Sequence, residues 1–318
     1  MVMPPLKNFI ATASMAMASA ASAHAGASIS VTGPKIDFIK IDETITLRRM
    51  VTSPASPKGI VLFLHGFPET LIVWKEIAEA LSKDYEVHAF DWPGYGQSSR
   101  PSAPEFSYSP KDYARLLKAY IAKTRVDRSN LVIYASDIGG LPALLLAIEE
   151  PTVARKIIVG DFAPFNRPQY MYENLQNLKA EPTATPTLAY MNKTSDEILQ
   201  NVHRRGLARE TQYELSPEVE TEMRASWTRA GMTSADAFAL YYSHFNRDQD
   251  YLEANLDKLR TPIKVIWGDR DIYIHHDMGK EFAERTNAQF DVLSGIGHFP
   301  HLQDPAITIR EVRAAFAD

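Results

Sequence analysis

Short, largely apolar runs recur along the chain, at residues 59–64, 85–90, 131–135, 156–160 and 263–267. Each is too short for a helix and shows little polar alternation, the pattern of strands buried on both faces of a parallel sheet. An earlier pair, 35–41 and 44–51, reads as a hairpin around Asp42-Glu43. Between the runs lie helix-forming segments near 71–81 and 141–150, and one that begins at Ser109-Pro110-Lys111-Asp112. There serine caps, proline occupies the first turn and aspartate favours the helix N-terminus. After 156–160 the alternation stops. Residues 163–259 are rich in helix formers, show no clear strand, and are broken into several helices by Pro182, Pro186 and Pro217. The strand pattern returns at 263–267, followed by a helix near 278–286, a strand at 289–293 and a final helix near 305–316.

This order predicts an α/β fold. A mostly parallel, doubly wound sheet forms from residues 26–162 and 260–318, and 163–259 is inserted late as a helical lid over the sheet's carboxyl edge, where such folds bind ligands. Composition adds limits. An apolar content of 45% in 318 residues suffices for a sizeable core, and a net charge of −5 gives no electrostatic case for a nucleic-acid partner. No apolar run reaches the roughly 20 residues that a membrane-spanning helix needs. Residues 1–25 stand apart: Lys7, a mild apolar stretch at 9–21 and Ala23-His24-Ala25 have the layout of a secretory signal cleaved before Gly26. The expected address is therefore secreted, in the periplasm of a Gram-negative source. A chain without cysteine forgoes disulfides there and has no thiol to mis-oxidise.

The strand at 131–135 runs into Ser136-Asp137-Ile138-Gly139-Gly140 and then a helix. This is the order of a sharp strand-to-helix turn with a reactive side chain at its tip, the position serine holds in G-x-S-x-G. With Asp137 at the tip, small Ala135 and Gly139 fall two residues to either side; with Ser136 there, bulky Tyr134 and Ile138 would crowd the turn. The alternative for Asp137 is a simple helix N-cap. Other loops leaving strands carry His65-Gly66-Phe67-Pro68, Gly268-Asp269-Arg270-Asp271 and Gly297-His298-Phe299-Pro300-His301. Nucleophile, acid and histidine thus follow the chain order Asp137, Asp271, His298. His298 and His301 share an H-x-x-H spacing, but without cysteine or a helical H-E-x-x-H pattern the expectation is no metal. His275-His276 is expected at an exposed helix start.

With His65-Gly66-Phe67-Pro68-Glu69 and Trp74, Asp91-Trp92-Pro93-Gly94-Tyr95-Gly96-Gln97-Ser98, the turn at Asp137 and Gly297-His298-Phe299-Pro300-His301, residues 35–318 resemble the α/β-hydrolase superfamily, and within it the epoxide hydrolase branch. The resemblance implies a cofactor-independent hydrolase acting on a small apolar organic substrate. Asp137 would attack an sp³ carbon and form an alkyl-enzyme ester, which water activated by His298 hydrolyses. Backbone N–H groups of Phe67 and Ile138 would form the oxyanion hole. Asp271 would orient His298, with Asp161 the competing position for that acid. Family members protonate the opening epoxide with lid tyrosines, here Tyr241 or Tyr242, with Tyr190 or Tyr172 as partner. Haloalkane and fluoroacetate dehalogenases share the nucleophile and keep the alternative of carbon–halogen cleavage open. Ile138 and Phe67 replace the usual halide-binding residues, and no arginine follows the nucleophile. A Ser136-dependent esterase and a non-catalytic binder are the remaining readings.

Overall fold

The computed structural model describes residues 1–2 and 33–317. Apart from Met1 and Val2, the expected secretory leader lies outside the described residues. Residues 33–317 lie in one compact unit. Its centre is an eight-stranded sheet in the order β1 (Lys35–Lys40), β2 (Thr46–Val51), β4 (Glu86–Phe90), β3 (Ile60–Leu64), β5 (Leu131–Ser136), β6 (Lys156–Gly160), β9 (Ile263–Gly268), β10 (Gln289–Leu293). β2 pairs antiparallel with β1 and β4, and every pairing from β4 to β10 is parallel. The central β3 and β5 are buried at every residue, whereas edge strands β1 and β10 are partly exposed along their length. That contrast accounts for the unbroken apolar runs: residues covered on both faces have no reason to alternate.

The expected elements form with small shifts at their ends. The segment near 71–81 is a 3₁₀ turn, Leu71–Trp74, continued by α1 (Lys75–Leu81). α2 (Pro110–Thr124) begins as expected: the Ser109 hydroxyl accepts from the Asp112 amide, with Pro110 in the first turn. Between β6 and β9 the chain is mainly helical, with α4 (Glu173–Asn177), α5 (Ala184–Lys193), α6 (Ser195–Asn201), α7 (Pro217–Ser226), α8 (Ser234–Ser243) and α9 (Phe245–Glu253). One expectation fails there. The insertion holds a two-residue hairpin, β7 (Thr228–Arg229) paired with β8 (Met232–Thr233). Its turn residues Ala230 and Gly231 both have positive φ, 52° and 78°, as a tight two-residue hairpin turn requires. Arms this short carry no alternation to read. α10 (His276–Thr286) follows β9, with exposed His275 as its cap, and α11 (Pro300–Gln303) and α12 (Pro305–Ala317) close the chain.

β6 touches β9 so closely at one residue that only glycine fits. A Cβ on Gly160 would lie 1.9 Å from the Ile266 carbonyl oxygen, a backbone atom of the neighbouring strand. Gly160→Ala is expected to cost at least about 1–3 kcal/mol and to lower Tm by several degrees in a thermal melt. Gly33→Ala, where nothing lies within 4 Å, should leave Tm unchanged; equal melting temperatures for the two variants would refute this packing.

Candidate active site

β5 ends at Ser136 in extended backbone, and Asp137 reverses the chain with φ +49° into a 3₁₀ turn, Asp137–Gly139, and then α3 (Gly140–Glu149). The glycines after it are required by contact. A Cβ on Gly139 would come within 2.9 Å of Leu64 Cβ, and one on Gly140 within 2.6 Å of the Phe162 ring. Asp137 thus occupies the tip, and its carboxylate faces across the site to His298 and does not cap the turn. Ser136 points elsewhere, its hydroxyl buried without a partner among the described residues.

Loops after β9 and β10 supply the rest. Asp271 Oδ1 accepts from the amides of Tyr273 (2.8 Å) and Ile274 (3.1 Å), which fixes the carboxylate and aims Oδ2 at His298 Nδ1, 2.8 Å away. His298 Nε2 lies 3.1 Å from Asp137 Oδ2. Burial works against a charge on His298, but the carboxylates of Asp271 and Asp137 hold its pKa well above the ordinary imidazole value. Burial pushes the Asp137 carboxyl upward; the bond from His298 and the Phe67 amide oppose this, and the charge of Glu69 adds to it. Between the two candidate acids, then, Asp271 is the partner of His298. Asp161 is fully buried beside them, with one ionisable atom of each of Asp161, Asp271 and His298 within 4.8 Å of the others. Its Oδ1 accepts from the Gly268 amide at 3.0 Å. Burial, reinforced by the charge of Asp271, drives its pKa well upward, which favours the neutral form of Asp161.

The loop after β3 faces Asp137. The Phe67 amide works to lower the pKa of the Asp137 carboxyl. His65 organises the loop: its Nδ1 donates to the Gly66 carbonyl (2.8 Å) and its Nε2 accepts from the Trp92 amide (3.1 Å). Burial depresses its pKa and keeps it neutral. The H-x-x-H spacing gathers no shared ligand set, because both His298 nitrogens face carboxylates while His301 Nε2 bonds Glu69 at 2.7 Å.

Asp137 and His298 open onto a cavity of about 80 Å³, walled by apolar side chains such as Leu175, Leu178, Met191, Ile198 and Phe238. The adjacent tyrosines separate here. Tyr242 lines the cavity and is buried to 3% exposure. Tyr241 turns away, and its hydroxyl donates to the Ile138 carbonyl at 3.2 Å, tying α8 to the turn. Tyr190 and Tyr172 also line the cavity but are 50% and 36% exposed, so they sit at its outer part. Sequence reasoning missed Tyr273, which lines the cavity with its ring 5.1 Å from that of His298, and Arg205, the cavity's one lysine or arginine among the described residues. Tyr273 was within reach, since it follows the acid by two residues; Arg205 lies in an irregular stretch with no motif around it.

Among curated proteins, an uncharacterised protein of Mycobacterium tuberculosis is 21% identical over 257 residues, covering 77% of this chain and 72% of its own. Epoxide hydrolase 4 of Mus musculus is 30% identical over 125 residues, or 39% of this chain and 34% of its own. A fluoroacetate dehalogenase of a Burkholderia species is 33% identical over 106 residues, 33% of this chain and 34% of its own. Solved structures with the same fold include Cfl2 of Burkholderia cenocepacia, with TM-score 0.73 and 20% identity, covering 90% of this chain and 97% of that one. An epoxide hydrolase of Vigna radiata has TM-score 0.71 and 20% identity, covering 88% and 97%. Residues 59–305 match the family described as alpha/beta hydrolase fold. With that match across most of the chain and the sheet order and turn that go with it, the protein belongs to the alpha/beta hydrolase family.

Proposed function

We propose that the protein is an epoxide hydrolase working through a covalent ester on Asp137. The observation that supports this most directly is a carboxylate at the strained tip, held against a histidine that a second carboxylate orients. A carboxylate is suited to displacement at an sp³ carbon. Asp137 Oδ attacks one epoxide carbon, the carbon–oxygen bond breaks, and Tyr242 gives its proton to the departing oxygen, with Tyr190 or Tyr172 as the second donor. Water then adds to the ester carbonyl while His298 takes its proton and Asp271 stabilises the imidazolium. The amides of Phe67 and Ile138 hold the oxyanion that forms on Asp137. Collapse of that intermediate breaks the ester C–O bond and passes its remaining hydroxyl proton to the leaving oxygen, which frees the diol and restores the Asp137 carboxylate, and the proton on His298 returns to the tyrosinate. The apolar walls suit a small or slender apolar epoxide. The leader at 1–25 supports a secreted, periplasmic location.

A dehalogenase would use the same first bond formation. Asn174, the cavity's one side-chain amide among the described residues, favours it as a halide donor. Turnover of styrene oxide, 1-bromobutane and fluoroacetate side by side separates the two: diol is the expected product, and halide release without diol formation would reverse the assignment.

His298→Gln should halt the reaction at the ester, so that intact mass rises by the mass of one styrene oxide and the adduct maps to Asp137. Single turnover in ¹⁸O-water should place label in the Asp137 carboxylate; label in the diol alone rules out the ester. Tyr242→Phe should lower kcat/KM for styrene oxide by about 10²–10⁴-fold, whereas Tyr241→Phe should change it by less than roughly tenfold, since only a tether to Ile138 is lost. Equal losses in the two variants would contradict the assignment of Tyr242.

The two halves should respond differently to acid. Attack needs ionised Asp137, which an imidazolium at His298 favours, while hydrolysis needs neutral His298, whose pKa is raised. In the ester the Asp137 charge is gone, so Asp271 alone of the two carboxylates holds up the pKa of His298, and as pH falls through that pKa hydrolysis slows before attack does. Quenched samples at decreasing pH should therefore contain a growing fraction of alkylated enzyme, and a constant fraction down to about pH 5 would count against His298 as the base.

A further inference from the structure

His301 and Glu69 are titratable, buried and absent from the reaction as written. Their side chains are 0% and 1% exposed, and His301 Nε2 lies 2.7 Å from Glu69 Oε1. The other carboxylate oxygen, Oε2, accepts from the Gly66 amide at 2.7 Å. His301 in turn stacks on Trp74, with ring centroids 4.3 Å apart. A rigid chain therefore runs from Trp74 at the start of α1, through His301 on α11, to the backbone of the loop that carries Phe67.

That loop has no slack. A Cβ on Gly66 would lie 2.7 Å from Asp137 Cβ and 3.2 Å from Glu69 Oε2. The backbone at Gly66 is thus packed against both the nucleophile and the Glu69 carboxylate, and the next amide, that of Phe67, is the one that lowers the pKa of Asp137. The Gly66 N–H and the Phe67 N–H lie in successive peptides joined at the Gly66 Cα, so releasing the first from Glu69 loosens the anchor from which the second is aimed. Donors at such a position act only when aimed at the developing charge, so small rotations matter.

We propose that Glu69 and His301 are positioning residues: the buried pair aims the Phe67 amide at Asp137 and places a fixed negative charge behind the nucleophile. The assignment rests on the ester mechanism above for its consequence in catalysis, but not for its effect on the loop. Burial opposes ionisation of Glu69, yet His301 and the Gly66 amide outweigh it and hold the carboxyl below its ordinary range. Its charge then disfavours ionisation of Asp137, in opposition to His298. The charge of Asp137 also reaches Asp161, His65 and the hydroxyls of Tyr95, Tyr241, Tyr242 and Tyr273, of which that of Tyr241 donates to the Ile138 carbonyl and that of Tyr273 to the Val202 carbonyl. Glu69 is itself faced by His301, His65 and Tyr213.

The test uses the full chain with Glu69→Gln, Glu69→Ala, His301→Ala and His301→Gln, each checked for an intact near-UV circular dichroism spectrum. Without substrate, hydrogen exchange in a peptide covering residues 65–70 should accelerate in Glu69→Ala and His301→Ala. It should return toward wild type in His301→Gln, whose amide can still donate to Glu69. With styrene oxide, the two alanine variants should lose about tenfold or more in the rate of alkylation, a fraction of the roughly 10²–10³ that one oxyanion donor provides, and His301→Gln should recover most of it. Glu69→Gln keeps an acceptor for Gly66 but removes the charge, so the acid limb of its alkylation profile should move to lower pH. Unchanged loop exchange in both alanine variants, or an acid limb that does not move in Glu69→Gln, overturns the proposal. Absence of turnover in the wild-type protein would instead overturn the epoxide assignment and leave the exchange result standing on its own.

Discussion

The site depends on holding an aspartate in left-handed backbone at the end of a fully buried strand. A non-glycine residue at φ near +50° costs about 1–3 kcal/mol and persists only where its surroundings over-determine it. Here β5 is clamped between β3 and β6, with Leu64 opposite Ala135 and Gly160 opposite Ser136. The next residue on each of the paired strands β5 and β6 is an aspartate with φ +49°, Asp137 and Asp161. Two neighbouring parallel strands thus end at the same level in the same strained way, and this brings both acids to one edge of the sheet. The close approach at Gly160 is what permits that edge to form.

The parts legible from sequence were those where one physical demand overrides all others. Strands covered on both faces read as unbroken apolar runs, and the turn at Asp137 announced itself because only Ala135, Gly139 and Gly140 leave room for it. The chain order of Asp137, Asp271 and His298 was readable because loops at one edge of a parallel sheet converge whatever their separation in sequence. What escaped was set by side-chain direction. Tyr241 and Tyr242 are adjacent, and nothing in composition tells which faces the cavity. Their roles divide only because α8 packs so that Tyr241 reaches the Ile138 carbonyl. The sequence favours Asp271 over Asp161 as the partner of His298 but leaves Asp161 open, and what decides between them is that the amides of Tyr273 and Ile274 aim Asp271 at it. The hairpin at Ala230-Gly231 was missed because its strands are two residues long.

The electrostatics of the edge follow from counting its buried groups. Asp137, Asp271, Asp161 and Glu69 are four carboxyl groups gathered around two histidines, His298 and His301. Removing several like charges from water together is prohibitive unless some neutralise. Burial and the charge of Asp271 push Asp161 toward the neutral form; it has a backbone amide on Oδ1 and no partner on Oδ2 among the described residues. Asp271 holds His298 in orientation, and His298 in turn lowers the pKa of Asp137. Glu69 then works in the other direction, keeping Asp137 from being stabilised too far. His298 and Glu69 thus act on Asp137 with opposite sign, the one lowering its pKa and the other raising it.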